Sequence, residues 1–275
     1  MDISLEFMRG LPRLLTVCLL GMFVALIAVS SVQSEGSAQA ANKVVGPDES
    51  IQAAINTADP GDTIVVRGVH REDVVIRKDG IKLRGDDAAI EAPARAKADS
   101  PCSKLFGPEA ICVLGDFNLE TGEFTGPRVS DVSVSGFTVR GFDELALEAI
   151  GASNATIAGN RAVGSGDTAI GTFLSVRTKI LANVTRGPGK AAIGSSESTN
   201  TLVSGNDLSG PTAVSGGVVV AVDPYFGGTT KPTNNSVIGN HFSRNKPDII
   251  WDESGSGNHF VGNLCNTSVP SRLCN

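Results

Sequence analysis

Six segments of the chain repeat one short pattern: Val134-Ser135-Gly136-Phe137, Ile157-Ala158-Gly159-Asn160, Ile180-Leu181-Ala182-Asn183, Val203-Ser204-Gly205-Asn206, Val237-Ile238-Gly239-Asn240 and Phe260-Val261-Gly262-Asn263. Their last positions lie 23, 23, 23, 34 and 23 residues apart, so one insertion of eleven interrupts a constant period. A fixed period of this length means that one structural unit stacks on the next, which restricts the chain to a solenoid.

Residue type selects the solenoid. The units hold short β-branched runs, glycines and polar turns, and lack the sustained three-and-four apolar spacing of helix pairs. The leucine ladder of leucine-rich repeats is also missing. Short strands with one circuit per repeat describe an all-β, single-stranded, right-handed parallel β-helix of about 23 residues per coil. Val134, Ile157, Ile180, Val203, Val237 and Phe260 are then expected to point inward, one per coil. A second apolar column, ten residues after each marker, comprises Leu147, Ile170, Ile193 and Ile250. Coils about 4.8 Å apart bring like side chains into contact. Asn160, Asn183, Asn206, Asn240 and Asn263 form a third column at a turn, where asparagine tolerates left-handed backbone and its amide can donate to one coil while accepting from another. Asn183 also opens a glycosylation sequon, and its place in the ladder argues against a glycan there.

The first forty residues read as a signal peptide. Arg9 and Arg13 precede an apolar run from Leu14 to Val29, and Ala38-Gln39-Ala40 offers a small-x-small cleavage site. The mature domain is therefore expected to span residues 41–275, secreted, monomeric and without stable membrane insertion. The full chain's net charge of −6 becomes −5 without Arg9, Arg13, Asp2, Glu6 and Glu35 of the leader, which gives the mature domain no general attraction for nucleic acid. Beyond Cys18 the cysteines fall into two close pairs, and in an oxidising compartment the short-loop pairing is Cys102–Cys112 and Cys265–Cys274.

Ser50-Ile51-Gln52-Ala53-Ala54-Ile55, then Asp59-Pro60-Gly61-Asp62-Thr63-Ile64-Val65-Val66, resembles the entry segment of pectate-lyase-like right-handed β-helix proteins. Val74-Val75-Ile76 and Ile81-Lys82-Leu83-Arg84-Gly85 are similar to that family's next strands. The stretch from Trp251 to Cys274 resembles the end of secreted bacterial β-helix repeat proteins. The resemblance implies a short capping helix at the N-terminal end, an insertion over 95–127 and a closing C-terminal loop over 264–275. It says less about chemistry, since the fold carries lyases, hydrolases, esterases, epimerases and adhesins. The His-centred and basic elements of polygalacturonases are absent, as is the arginine-centred pattern of pectate lyases. Val222-Asp223-Pro224-Tyr225 begins like the Asp-Pro-His-Asp signature of alginate epimerases, but Tyr225 stands where the histidine belongs.

Reading by column supplies the candidate catalytic set. Glu144, Asp167 and Lys190 each follow their marker by seven residues, so consecutive coils should set them side by side. Two adjacent carboxylates could bind Ca²⁺ or share a proton, with the lysine neutralising a substrate carboxylate; a solvated charge ladder is the alternative use. Asp223, Tyr225 and Lys231, in the coil swollen by the insertion, are candidate substrate-binding residues. Two functions fit these features. One is a secreted protein that binds an extracellular acidic polysaccharide and cleaves or modifies it, by lyase or epimerase-like chemistry if it is an enzyme. The other is a non-catalytic structural or adhesive β-helix at a cell surface. A groove with converging charges distinguishes the first from the second.

Overall fold

The computed structural model describes residues 40–93, 100–118, 121, 123–210, 216–223 and 228–274. The expected leader, residues 1–40, lies almost wholly outside them. Among the described residues, no helix is long and apolar enough to cross a membrane.

Among the described residues the strands of both main sheets pair in parallel, and successive coils meet in the register that the repeat dictates. Leu83, Val134, Ile157, Ile180, Val203, Val237 and Phe260 stand partner to partner up one sheet of 13 strands. All but Phe260, which is half-buried, are enclosed in a core continuous from Val45 to Leu273. Each such side chain contributes about 1.5–3 kcal/mol when withdrawn from water. The chain is a parallel β-helix.

A second sheet, of eight strands, runs along the same axis. Leu147, Ile170, Ile193, Val218 and Ile249 form its inward column. Ile249, not the expected Ile250, takes the last of these places, because the connection from Asn240 to this strand is one residue shorter than in earlier coils. Ile250 pairs with Val219 and is only half-buried.

The turn between each coil's first two strands is held by the asparagine ladder. The backbone N–H groups of Phe137, Asn160, Asn183, Asn206 and Asn240 donate to the side-chain oxygens of Asn160, Asn183, Asn206, Asn240 and Asn263 at 2.8–3.0 Å. Each amide nitrogen donates in turn to a carbonyl, from Val134, Ile157, Ile180, Val203 and Val237 respectively. Asn183 is fully enclosed. The left-handed backbone belongs to the residue before each asparagine, with φ of 63° at Gly159 and 50° at Ala182. The asparagine itself is kept for hydrogen bonding.

Ser50 caps the helix Ile51–Thr57 by accepting from the Ala53 N–H, and Ile51 and Ile55 bury against the first strands. Residues 95–127 are not one excursion from the solenoid. They contain Ile111–Leu114, a regular strand paired on both sides within the second sheet. The Cys102–Cys112 disulfide fastens the short helix Pro101–Phe106 to that strand. At the other end Cys265 bonds Cys274, Leu273 tucks into the core, and Ser268–Val269 pairs with Ile249–Trp251.

Replacing Asn206 by alanine leaves the buried Asn183 N–H and Ile180 carbonyl without these partners and removes one of the two bonds that the Asn240 side-chain oxygen accepts from Asn206. At roughly 1–3 kcal/mol for each stranded group, partly relieved by relaxation, the loss should be about 3 kcal/mol. Asn263→Ala, at the half-buried end of the ladder, should lose about 1 kcal/mol. Urea denaturation of both variants checks the contrast, and equal losses would contradict a ladder anchored in its middle.

Candidate functional site

The outer face of the eight-stranded sheet carries the chemistry. Outward positions on consecutive coils run Cys112, Glu148, Gly171, Gly194 and Val219 in one column, and Leu114, Ile150, Phe173, Ser196 and Ala221 in the next. Over the first coils this face is covered by residues 100–118. The Phe106 and Phe117 rings meet Phe173 edge-on, with centroids 5.6 and 6.0 Å away. Where the cover stops, a cleft of about 570 Å³ opens. Leu105, Phe106 and Phe173 contribute apolar wall, and the missing side chains of Gly171 and Gly194 leave the floor low.

The structure brings the expected catalytic column together in this cleft. The Asp167 N–H donates to the Glu144 carbonyl and the Lys190 N–H to the Asp167 carbonyl, at 3.2 and 2.8 Å. The coils approach closely here because Gly166 and Gly189 precede the charged residues; a Cβ on Gly189 would lie 1.7 Å from the Gly166 oxygen. The Lys190 ammonium donates to the Asp167 carboxylate, which also accepts from Thr168 Oγ at 3.0 Å. Glu144, Asp167, Lys190 and Asp223 all line the cleft. Gly107 presses on Glu144, where a Cβ would come within 2.5 Å of its Cγ. The resulting loss of water, then the nearby Asp167, raises the Glu144 carboxyl above its ordinary range, while Lys190 opposes the shift.

One expected binding residue is not part of the cleft. Lys231 is exposed and lies outside the lining, since the inserted loop turns it to solvent and its carbonyl accepts from Thr233. Tyr225 lies outside the described residues. The inserted loop is tied down instead by Glu197, whose carboxylate accepts the Thr230 N–H at 3.1 Å.

The residues that sequence reading passed over are Glu148 and Glu109. Glu148 sits in the floor column between Cys112 and Gly171, 5% exposed, and its Oε2 meets no hydrogen-bonding partner from the protein. Glu109 is 1% exposed beneath the disulfide. A Glu109 carboxyl oxygen and the sulfurs of Cys102 and Cys112 lie within 4.8 Å of one another, yet both sulfurs are spent in the disulfide and hold no metal. Burial holds Glu109 well above the carboxylate range, and the neighbouring Glu148 and Asp73 push it further. Burial also lifts Glu148 from 4.5 to about 8; the neighbouring Glu109 opposes this, and the Asp223 and Asp167 charges add to it. Burial thus favours the protonated form of Glu148. A lone acidic residue followed by Gly171 and Gly194 at the equivalent outward position was the signal available in the sequence.

Ca²⁺ does not fit this donor set. It needs six to eight converging oxygens, whereas the Asp167 carboxylate faces the Lys190 ammonium and Glu148 keeps its proton.

No protein-family model matches the sequence, and no curated protein matches it. Among solved structures, the chain is similar to a polygalacturonase from Erwinia carotovora ssp. carotovora, at 14% identity and a TM-score of 0.58 over 87% of this chain and 73% of that one. Weaker likenesses reach a bacteriophage tailspike protein 2, at 13% identity and a TM-score of 0.45 over 82% of this chain and 34% of that one. An alginate lyase from Paenibacillus sp. follows at 12% identity and 0.35, over 81% and 97%. At such identity the likeness to the polygalacturonase establishes the shared parallel β-helix and nothing of the chemistry.

A carboxyl that titrates higher folded than unfolded stabilises the fold fully below its unfolded value, and that stability is lost as pH rises through the folded value. Stability should therefore fall between pH 4.5 and about 8 on account of Glu148, with Glu109 adding to the loss in the same direction. The Glu109→Gln/Glu148→Gln double variant should flatten this decline. Melting temperatures across that window test the assignment, and parallel curves for the two proteins would contradict it.

Proposed function

We propose that the protein acts outside the cytoplasm on a polysaccharide, which it binds in the cleft of the eight-stranded sheet and cleaves by acid-catalysed hydrolysis. The observation that carries this reading is a buried Glu148, whose surroundings favour its protonated form, on the floor of a cleft that also holds Asp167 and Asp223. Paired carboxyl groups whose surroundings drive them to opposite protonation states are the working parts of glycoside hydrolysis. Glu148 gives its proton to the glycosidic oxygen as the bond from that oxygen to the anomeric carbon breaks. Water adds to the anomeric carbon and yields its proton to the second carboxylate, Asp167 or Asp223.

Support also comes from the fold, shared with a polygalacturonase, and from two disulfides, which persist in oxidising compartments. Elimination of the lyase kind is less well served. It asks for a cation to hold the substrate's carboxylate, and Lys190 is committed to Asp167. A flat adhesive surface would need neither a concavity nor a buried acid.

Reducing-end release from a panel of plant and bacterial polysaccharides tests the reading. Glu148→Gln should lower kcat by about 10²–10⁴-fold, the usual worth of a general acid, while oligosaccharide binding is retained. The wild-type rate should fall as pH rises through about 8, where Glu148 gives up its proton. An active protein indifferent to this substitution would remove Glu148 from the mechanism, and a protein that binds glycans without cleaving them would reduce the reading to recognition alone.

A further inference from the structure

The charge of the cleft bears on which polysaccharide enters it. Four of the lining side chains are acidic, Glu144, Glu148, Asp167 and Asp223, and one, Lys190, is basic. That lysine forms an ion pair with Asp167, so the pair presents little net charge to a ligand. Asp223 adds a carboxylate at the far side of the floor, and the other lining residues are apolar or uncharged. Glu148 lines this space, and its buried Oε2 meets no hydrogen-bonding partner from the protein.

Resting on the hydrolase reading above, we infer that the cleft takes uncharged sugar residues and excludes uronates. Sugar hydroxyls can donate to the carboxylates of Asp167 and Asp223, and the protonated Glu148 can donate to a ring or bridging oxygen. The apolar face of a pyranose or furanose ring fits the wall of Leu105, Phe106 and Phe173. A uronate in the same place sets its own carboxylate against the acidic side chains of Glu144 and Asp223. Like-charge juxtaposition of this kind is among the strongest means of rejecting a wrong partner. The substrate class thus differs from the acidic polysaccharide expected from sequence.

The test titrates the full domain at neutral pH with neutral oligosaccharides (cello-, xylo-, manno-, galacto- and fructo-oligosaccharides) and with oligogalacturonate and oligomannuronate. Each is run once with EDTA and once with Ca²⁺, with binding read by calorimetry. At least one neutral ligand should bind, more than tenfold tighter than either uronate in both conditions. The gap should narrow with added NaCl, which screens like-charge repulsion, and with Asp223→Asn. Gly194→Phe and Ser196→Trp, which fill the floor from two positions, should each abolish neutral binding. Two variants guard against one that fails to fold, and circular dichroism identifies such a case. Equal or tighter binding of a uronate in the cleft, with or without Ca²⁺, overturns the inference while leaving the hydrolase reading intact. Failure of every glycan to bind, or neutral binding untouched by both floor variants, overturns the hydrolase reading itself.

Discussion

A buried amide that must satisfy the coil on either side of it allows the chain almost no freedom in how far it rises per turn. Asn160, Asn183, Asn206 and Asn240 each accept one backbone N–H and return one amide proton to a carbonyl, in a space from which water is absent. Slipping one coil by a residue would strand several of these groups at once, at roughly 1–3 kcal/mol each. The ladder therefore locks the register that apolar stacking alone would leave loose, since Val, Ile and Leu tolerate one another's places. Every outward side chain inherits its neighbours from that register. Glu144, Asp167 and Lys190 meet for this reason, and so do Glu148, Gly171 and Gly194.

The site spends some of the rigidity that the ladder provides. Two carboxyl groups, Glu109 and Glu148, lie where burial opposes their ionisation. An apolar pair of similar size would favour folding more at neutral pH. The arrangement becomes intelligible as a means of holding a proton. The disulfide Cys102–Cys112 and the rings of Phe106, Phe117 and Phe173 keep the cover seated, and the cover keeps water from Glu148. Removing that cover should return Glu148 to the ordinary carboxylate range, so the two parts work as one device.

What could be read from sequence is whatever repeats. The inward columns, the asparagine ladder and the neighbours Glu144, Asp167 and Lys190 all follow from counting 23 residues, because in a solenoid sequence distance becomes contact, and the disulfide pairs follow from the close spacing of their cysteines. Counting failed where the period breaks. Ile249 replaced Ile250 after a connection shorter by one residue, and Lys231, on the inserted loop, faces away from the cleft. Glu148 was hidden for a different reason. Its protonation depends on burial, to which a segment outside the repeat contributes, so no column reveals it. The expected left-handed asparagines were likewise displaced by one position, because Gly159 and its equivalents take that conformation and free the amide for bonding.

The account centres on a carboxylic acid that stays neutral in a cleft at physiological pH. Carbon-13 labelling of the glutamate carboxyl groups, followed by nuclear magnetic resonance across a pH titration, observes that proton directly. One resonance, lost in Glu148→Gln, should titrate near pH 8. If every glutamate in the folded protein titrates in the ordinary carboxylate range, the cleft holds no such acid.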